Sequence, residues 1–225
     1  MAELIWDGKY DEHGNKRAPV RIELPFQTVE TVNESVQERQ RTLELSSSGH
    51  DPEWRNRLIW GDKKYVLPSL LPEFAGKVDL IYIDPPFDTG ADFSFMTTVP
   101  DCDELFEKEP SLLEQKAYRD TWGVSTTDRE RGVTTIDRYT RWFHGTVVLL
   151  RDLLTENGSI YVHIGQNVAH YVKAVLDEVF GFDCFVNEIV WRRAYAHNDP
   201  SRCGIIHDNI FFYTKSAKYT WNKIL

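Results

Sequence analysis

Cysteine is scarce in this 225-residue chain. Cys102, Cys184 and Cys203 are an odd number, and no two form a Cys-x-x-Cys pair. That excludes a disulfide framework and makes a reducing cytoplasm the expected setting. His163, His197 and His207 with Cys203 lack a zinc spacing, so no metal is expected and the histidines read as structural or surface residues. No apolar run approaches the roughly 20 residues that cross a bilayer. No basic-then-apolar leader opens the chain, and no internal repeat is visible. A surplus of positive charge is also missing. Lys and Arg number 26 against 35 Asp and Glu, a net charge of −9. A uniformly basic surface that attracts nucleic acid is therefore excluded. Finally, the 13 glycines include no Gly-x-Gly, the turn that lets backbone approach a bound nucleotide-like cofactor closely.

What is present fits one sizeable core with a small appendage: 41% of residues are hydrophobic, and they are patterned. Residues 1 to 20 are polar with turn signals at Asp7-Gly8 and His13-Gly14-Asn15, and read as an arm or hairpin. Val20 to Val32 alternates loosely enough to contain a strand. Asn33 to Thr42 reads as an exposed helix, and Ser46 to Pro52 as a linker. The expected division is thus an arm and linker over 1–52 and a folded domain over 53–225. Arg57 to Trp60 is a strand candidate, and Asp62 is placed to cap a helix over Lys63 to Phe74. Ala91 to Thr135 is long and mixed, a candidate cover for a site. Ile136 to Thr155 has helical spacing, with Asn157-Gly158 as its stop. Ser159 to Ile164 follows as a buried strand, with Gln166 and Asn167 at its carboxyl end. Val168 to Phe180 predicts a second helix, stopped by Gly181. Phe185 to Trp191 and Ile210 to Thr214 predict a closing strand pair. Two βα crossovers and a hairpin make an α/β sheet.

One stretch organises the rest. Val78 to Ile83 is short, apolar and β-branched, and predicts a strand buried on both faces. Asp84 stands where the run stops. Pro85 and Pro86 follow; neither has an N–H and each fixes its φ, so the ladder must end. A carboxylate, a stiff carbonyl and the Phe87 ring are thereby held at a strand's carboxyl end, where open α/β sheets place ligands. The bland alternative is a Pro-Pro turn with Asp84 capping local N–H groups and Phe87 in the core.

Asp84-Pro85-Pro86-Phe87, with Asp88-Thr89-Gly90 after it and Asn56 to Asp62 before it, resembles the amino-methylating DNA methyltransferases. Asp120-Thr121-Trp122-Gly123, Asn157 to Ile164 and Glu188 to Arg192 extend the likeness, which is nearest to modification subunits of type III restriction systems. The resemblance implies a Rossmann-like methyltransferase sheet, here only its catalytic-motif half. The Gly-rich turn of that motif order lies further on, after a target-recognition region, so a fragment of a longer enzyme is expected. It also implies S-adenosylmethionine as methyl donor and a flipped adenine as target, with cytosine N4 as the alternative target. Asp84 and Pro85 would accept hydrogen bonds from the amine, with Pro86 stiffening the loop and Phe87 stacking on the base. Asp62, Asp84 and Pro85 would border the cofactor, although Asp62 serves equally as a plain helix cap. Double-stranded DNA is the implied partner, with a restriction subunit or second methyltransferase subunit beside it. Charge agrees only locally: Val186 to Leu225 holds six basic and three acidic residues, which makes Arg192 and Arg193 the DNA-contact candidates. Tyr118 and Trp122 are candidate base stackers, or the packed underside of their loop. A catalytically silent DNA-binding or assembly module stays open as a reading from another class. So does an α/β protein that meets Asp-Pro-Pro-Phe by chance.

Overall fold

The computed structural model describes residues 3–30, 56–88, 96–98, 105–107, 122–193 and 203–222. The helix expected over 33–42, the linker and Tyr118 lie outside them. The first regular element is α1 (Lys63–Phe74), opened by Asp62, whose carboxylate accepts from the Lys64 N–H at 2.9 Å. It tolerates Pro68 and Pro72 inside it. Then come β1 (Val78–Ile83), a short antiparallel pair β2 (Met96–Thr98) and β3 (Leu105–Glu107), and a one-turn α2 (Thr126–Glu130). The long helix α3 (Thr135–Leu153) carries a full capping box: Thr134 accepts from the Asp137 N–H, and Asp137 accepts from the Thr134 N–H. It feeds β4 (Leu154–Ile164), then α4 (Ala169–Phe180), β5 (Phe185–Arg192) and β6 (His207–Thr214).

The main sheet runs β1-β4-β6-β5. β1 and β4 are parallel, and β6 is antiparallel to both β4 and β5. The α/β class and the two crossovers with a closing hairpin are as expected. Tyr139, Phe143, Val147 and Leu150 of α3, with Val172, Val175, Leu176 and Phe180 of α4, are buried against one face. Ile160, Val162 and Ile164 of β4 and Phe211 and Tyr213 of β6 supply the sheet side of that core. Each such side chain contributes roughly 1.5–3 kcal/mol on burial. Tyr213 donates its hydroxyl proton to Asp177 at 2.6 Å and locks β6 to α4; burial, then that bond, push its phenol well above the ordinary range.

Four expectations need correction. First, β1 is not buried on both faces. Ile81 and Ile83 pack into the core, but Leu80 is 60% and Tyr82 57% exposed. Among the described residues β1 pairs only with β4 and forms the sheet edge, and Leu80 and Tyr82 leave its second face largely open. Second, Arg57 to Trp60 forms no strand: Leu58 and Trp60 stand exposed with no strand beside them. Third, no strand forms over 20–30 either; the arm there is held by side chains, as in the Leu24 N–H bond to Ser69. Fourth, α3 stops at Leu153 rather than at Asn157-Gly158. Leu154 turns extended and pairs with Val78, so Asn157 and Gly158 lie inside β4. Burial of both Leu153 and Leu154 fixes that switch.

The arm is packed down. Trp6 is buried against His144, and the Lys9 ammonium lies 4.4 Å from the Trp6 ring centroid. Lys9 donates to the Leu4 carbonyl and pairs with Glu3 and with Glu178 of α4. Its turn is closed by the Tyr10–Lys16 bridge, the hairpin that the glycine signals predict.

Candidate active site

The carboxyl ends of β1 and β4 meet at one place. Asp84 follows β1 with its side chain 59% exposed, so its carboxylate faces solvent rather than the core. Pro85 is buried. The Pro86 carbonyl accepts the Tyr139 hydroxyl proton at 2.9 Å, which ties the Pro-Pro loop to the first turns of α3. Phe87 is half-buried. Its ring lies on Gly165, where a Cβ would fall 2.8 Å from Phe87 Cδ2, so a side chain there would displace the ring. Phe87 and His163 meet in a T-shaped contact, with ring centroids 5.5 Å apart. Asp88 has φ 53°, a left-handed residue that redirects the chain directly after the motif. Its carbonyl accepts from the Asn167 amide at 3.5 Å. The loops after β1 and β4 therefore brace one another, while Asp84 stays open.

A half-exposed carboxylate beside a rigid carbonyl and an aromatic ring can accept hydrogen bonds from a planar amine. That arrangement is the one the Asp-Pro-Pro-Phe motif demands. Residues 78–225 match the sequence model of the N6/N4 methyltransferases, described as DNA methylase. The chain belongs to that family. It is 32% identical over 171 residues to the type II methyltransferase M.EcaI of Enterobacter cloacae, covering 76% of this chain and 31% of that protein. It is 30% identical over 190 residues to the Mod subunit of the type III restriction-modification enzyme EcoP15I of Escherichia coli, covering 79% and 28%. The chain thus spans under a third of the length of those relatives. Among solved structures, PvuII DNA methyltransferase (cytosine-N4-specific) aligns over 68% of this chain and 48% of its own, at 14% identity and a TM-score of 0.39. Methyltransferases of this family use S-adenosylmethionine.

The remaining site residues are scattered. Asp62 lines a cavity whose described walls do not include Asp84. That cavity, of about 450 Å³, is shared with Lys63, Trp6, Arg17, Arg141 and Trp142, beneath the arm, and the Asp62 carboxylate is engaged in capping α1. Lys63 there is held down to about 7 by burial, with Asp62 opposing. Trp122 packs inward, 5.3 Å from Tyr139 and 5.0 Å from Trp142 between ring centroids, which is the packed-loop alternative rather than a free base-stacking platform. Arg192 and Arg193 are exposed at the end of β5, and Arg193 Nη1 lies 3.7 Å from Asp208. Sequence reasoning passed over two participants. Tyr139 reads as an ordinary core position of α3, and its hydroxyl was the available clue. His163 sits at an alternate position of a buried strand, and its spacing from β1 is visible only once the sheet is assembled.

Proposed function

We propose that this chain supplies the target-amine site of a DNA adenine-N6 methyltransferase, the modification component of a restriction-modification system. The observation that carries the proposal is the open Asp84 carboxylate, beside a Pro-Pro loop that Tyr139 holds in place. An exocyclic amine is a poor nucleophile because its lone pair is delocalised into the ring. Asp84 accepts one N–H and the Pro85 carbonyl the other, which draws the nitrogen towards tetrahedral and aims its lone pair. The donor's sulfonium supplies the methyl group. The rest is positioning and electrostatics. Asp84 need not take a proton first, since the methylated nitrogen is cationic and sheds one readily. Phe87, braced on Gly165, would stack its ring on an extruded base; stacking of this kind contributes roughly 1–3 kcal/mol per base. Asp84 and Pro85 would border the cofactor. The chain has no Gly-x-Gly to cradle its methionine part, so the 225 residues alone are expected to turn over poorly. Arg192 and Arg193 would contact DNA phosphates.

Labelled methyl transfer to duplex DNA is the test, with the chain alone and after adding the C-terminal part of a full-length relative. Asp84→Ala should lower transfer at least about 100-fold while DNA binding stays within twofold. Retained turnover would remove Asp84 from the mechanism. Label in cytosine rather than adenine would reassign the target. DNA binding without transfer in any combination would favour the silent module.

A further inference from the structure

Behind Asp84 stands a row of ionisable groups that runs from the end of β1 across β4 and β6 to the end of β5. His163 Nδ1 of β4 lies 3.6 Å from Asp84 Oδ1, and its Nε2 lies 3.3 Å from Asp208 Oδ2 of β6. Asp208 is 4% exposed at its side chain, and its other oxygen lies 3.7 Å from Arg193 Nη1 beyond β5. The imidazole is fenced by rings: Phe87 at 5.5 Å and Tyr82 at 6.5 Å between centroids. The groups that face it are thus Asp84 and Tyr82 from β1 and its loop, Asp208 from β6, and Arg193 through Asp208.

We infer that His163 is a positioning residue that holds the Asp84 carboxylate in its amine-accepting orientation, anchored from behind by Asp208 and Arg193. This inference rests on the proposed role of Asp84. A carboxylate as open as Asp84 rotates freely unless one oxygen is held. At 3.6 Å the approach is an ion-pair distance rather than a hydrogen bond: a proton on His163 Nδ1 attracts Oδ1 and leaves the second oxygen for the target amine. The buried Asp208 carboxylate needs a donor of its own, and Nε2 is the ring atom that faces it. An imidazole with one proton can serve only one of these carboxylates, and its bare nitrogen then repels the other. Both are served when both ring nitrogens carry protons. Asp208, with Arg193 outside it, fixes the ring against β6, so the pull on Asp84 has a fixed direction. Nothing in this arrangement requires His163 to touch the base or the donor.

Two measurements test the inference. The first is made on this chain and needs no catalysis. The ring ¹⁵N shifts of His163 are compared under one set of conditions in the wild type, in Asp84→Asn and in Asp208→Asn. Asp84→Asn should move the Nδ1 signal, and Asp208→Asn the Nε2 signal. An Nδ1 signal that Asp84→Asn leaves unmoved overturns the inference. The second belongs to the methyl-transfer assay. His163→Leu should lower kcat about 100-fold with KM for DNA little changed. His163→Asn, whose amide can stand near the Nδ1 position, should recover much of that loss. Equal loss in both variants points to a packing role and counts against the inference. If Asp84→Ala transfers methyl groups normally, the function proposal fails instead. If Asp84 is essential and His163→Leu keeps its kcat, the positioning role alone fails.

Discussion

At the scale of single residues, the site is stiff where backbone is held and loose where chemistry is expected. Gly165 shows the stiff part. Gly165→Ala would drive a methyl group into the Phe87 ring, costing about 1–3 kcal/mol and tipping the ring off its floor. Chemical denaturation together with the ring shifts of Phe87 and His163 would show both effects. Unchanged shifts would mean that the floor is not what holds Phe87. Lys63 offers a test of sign. Burial lowers it to about 7, although the Trp142 ring 3.8 Å away and Asp62 oppose the shift. From there up to the ordinary lysine range, the unfolded chain binds a proton that the folded chain lacks. Stability should therefore rise with pH through that window, and the benefit is absent below about pH 7. Lys63→Met should remove that rise, on the order of 2–4 kcal/mol, in denaturant midpoints taken between pH 6.5 and 10. The Thr146 hydroxyl keeps its own bond to the Trp142 carbonyl, so the variant strands no buried donor there.

At the scale of elements, α3 links folding to the site. Its capping box sits one turn before Tyr139, the residue that holds the Pro86 carbonyl. Thr134→Ala should cost about 1 kcal/mol and fray that first turn. Faster exchange of the amides over 135–139, with the rest of α3 unchanged, is the expected readout. Helices were the most legible elements. The Tyr139, Phe143, Val147 and Leu150 spacing marks the core face of α3, and Gly181 does end α4, at φ 95°. Strands were less so. Val78 to Ile83 reads as a strand buried on both faces, but an apolar run does not say what covers each face. Leu58 and Trp60 carry the same apolar signal and form no strand at all. Asp84 was legible because two prolines make it local. The bond from Tyr139 and the approach of His163 join positions tens of residues apart, and no local pattern announces them.

At the scale of the molecule, the sheet is one-sided. Helices cover one face. The other carries the segment after β6, through Tyr219 and Trp221 on Phe212, and the Phe87 loop against His163. The outer edge of β1 is unpaired among the described residues. Amides of β1 should therefore fall into two exchange classes: those that bond to β4 slow, and the outward ones fast. A single slow class in the isolated chain would show that something has paired with that edge. The arm adds a constraint in time. Lys9 finds its carboxylate on Glu178, 169 positions further along. During synthesis, Trp6 and Lys9 must wait, unsheltered, until α3 and α4 have left the ribosome. The arm thus finds its place only after the helices that receive it have been made.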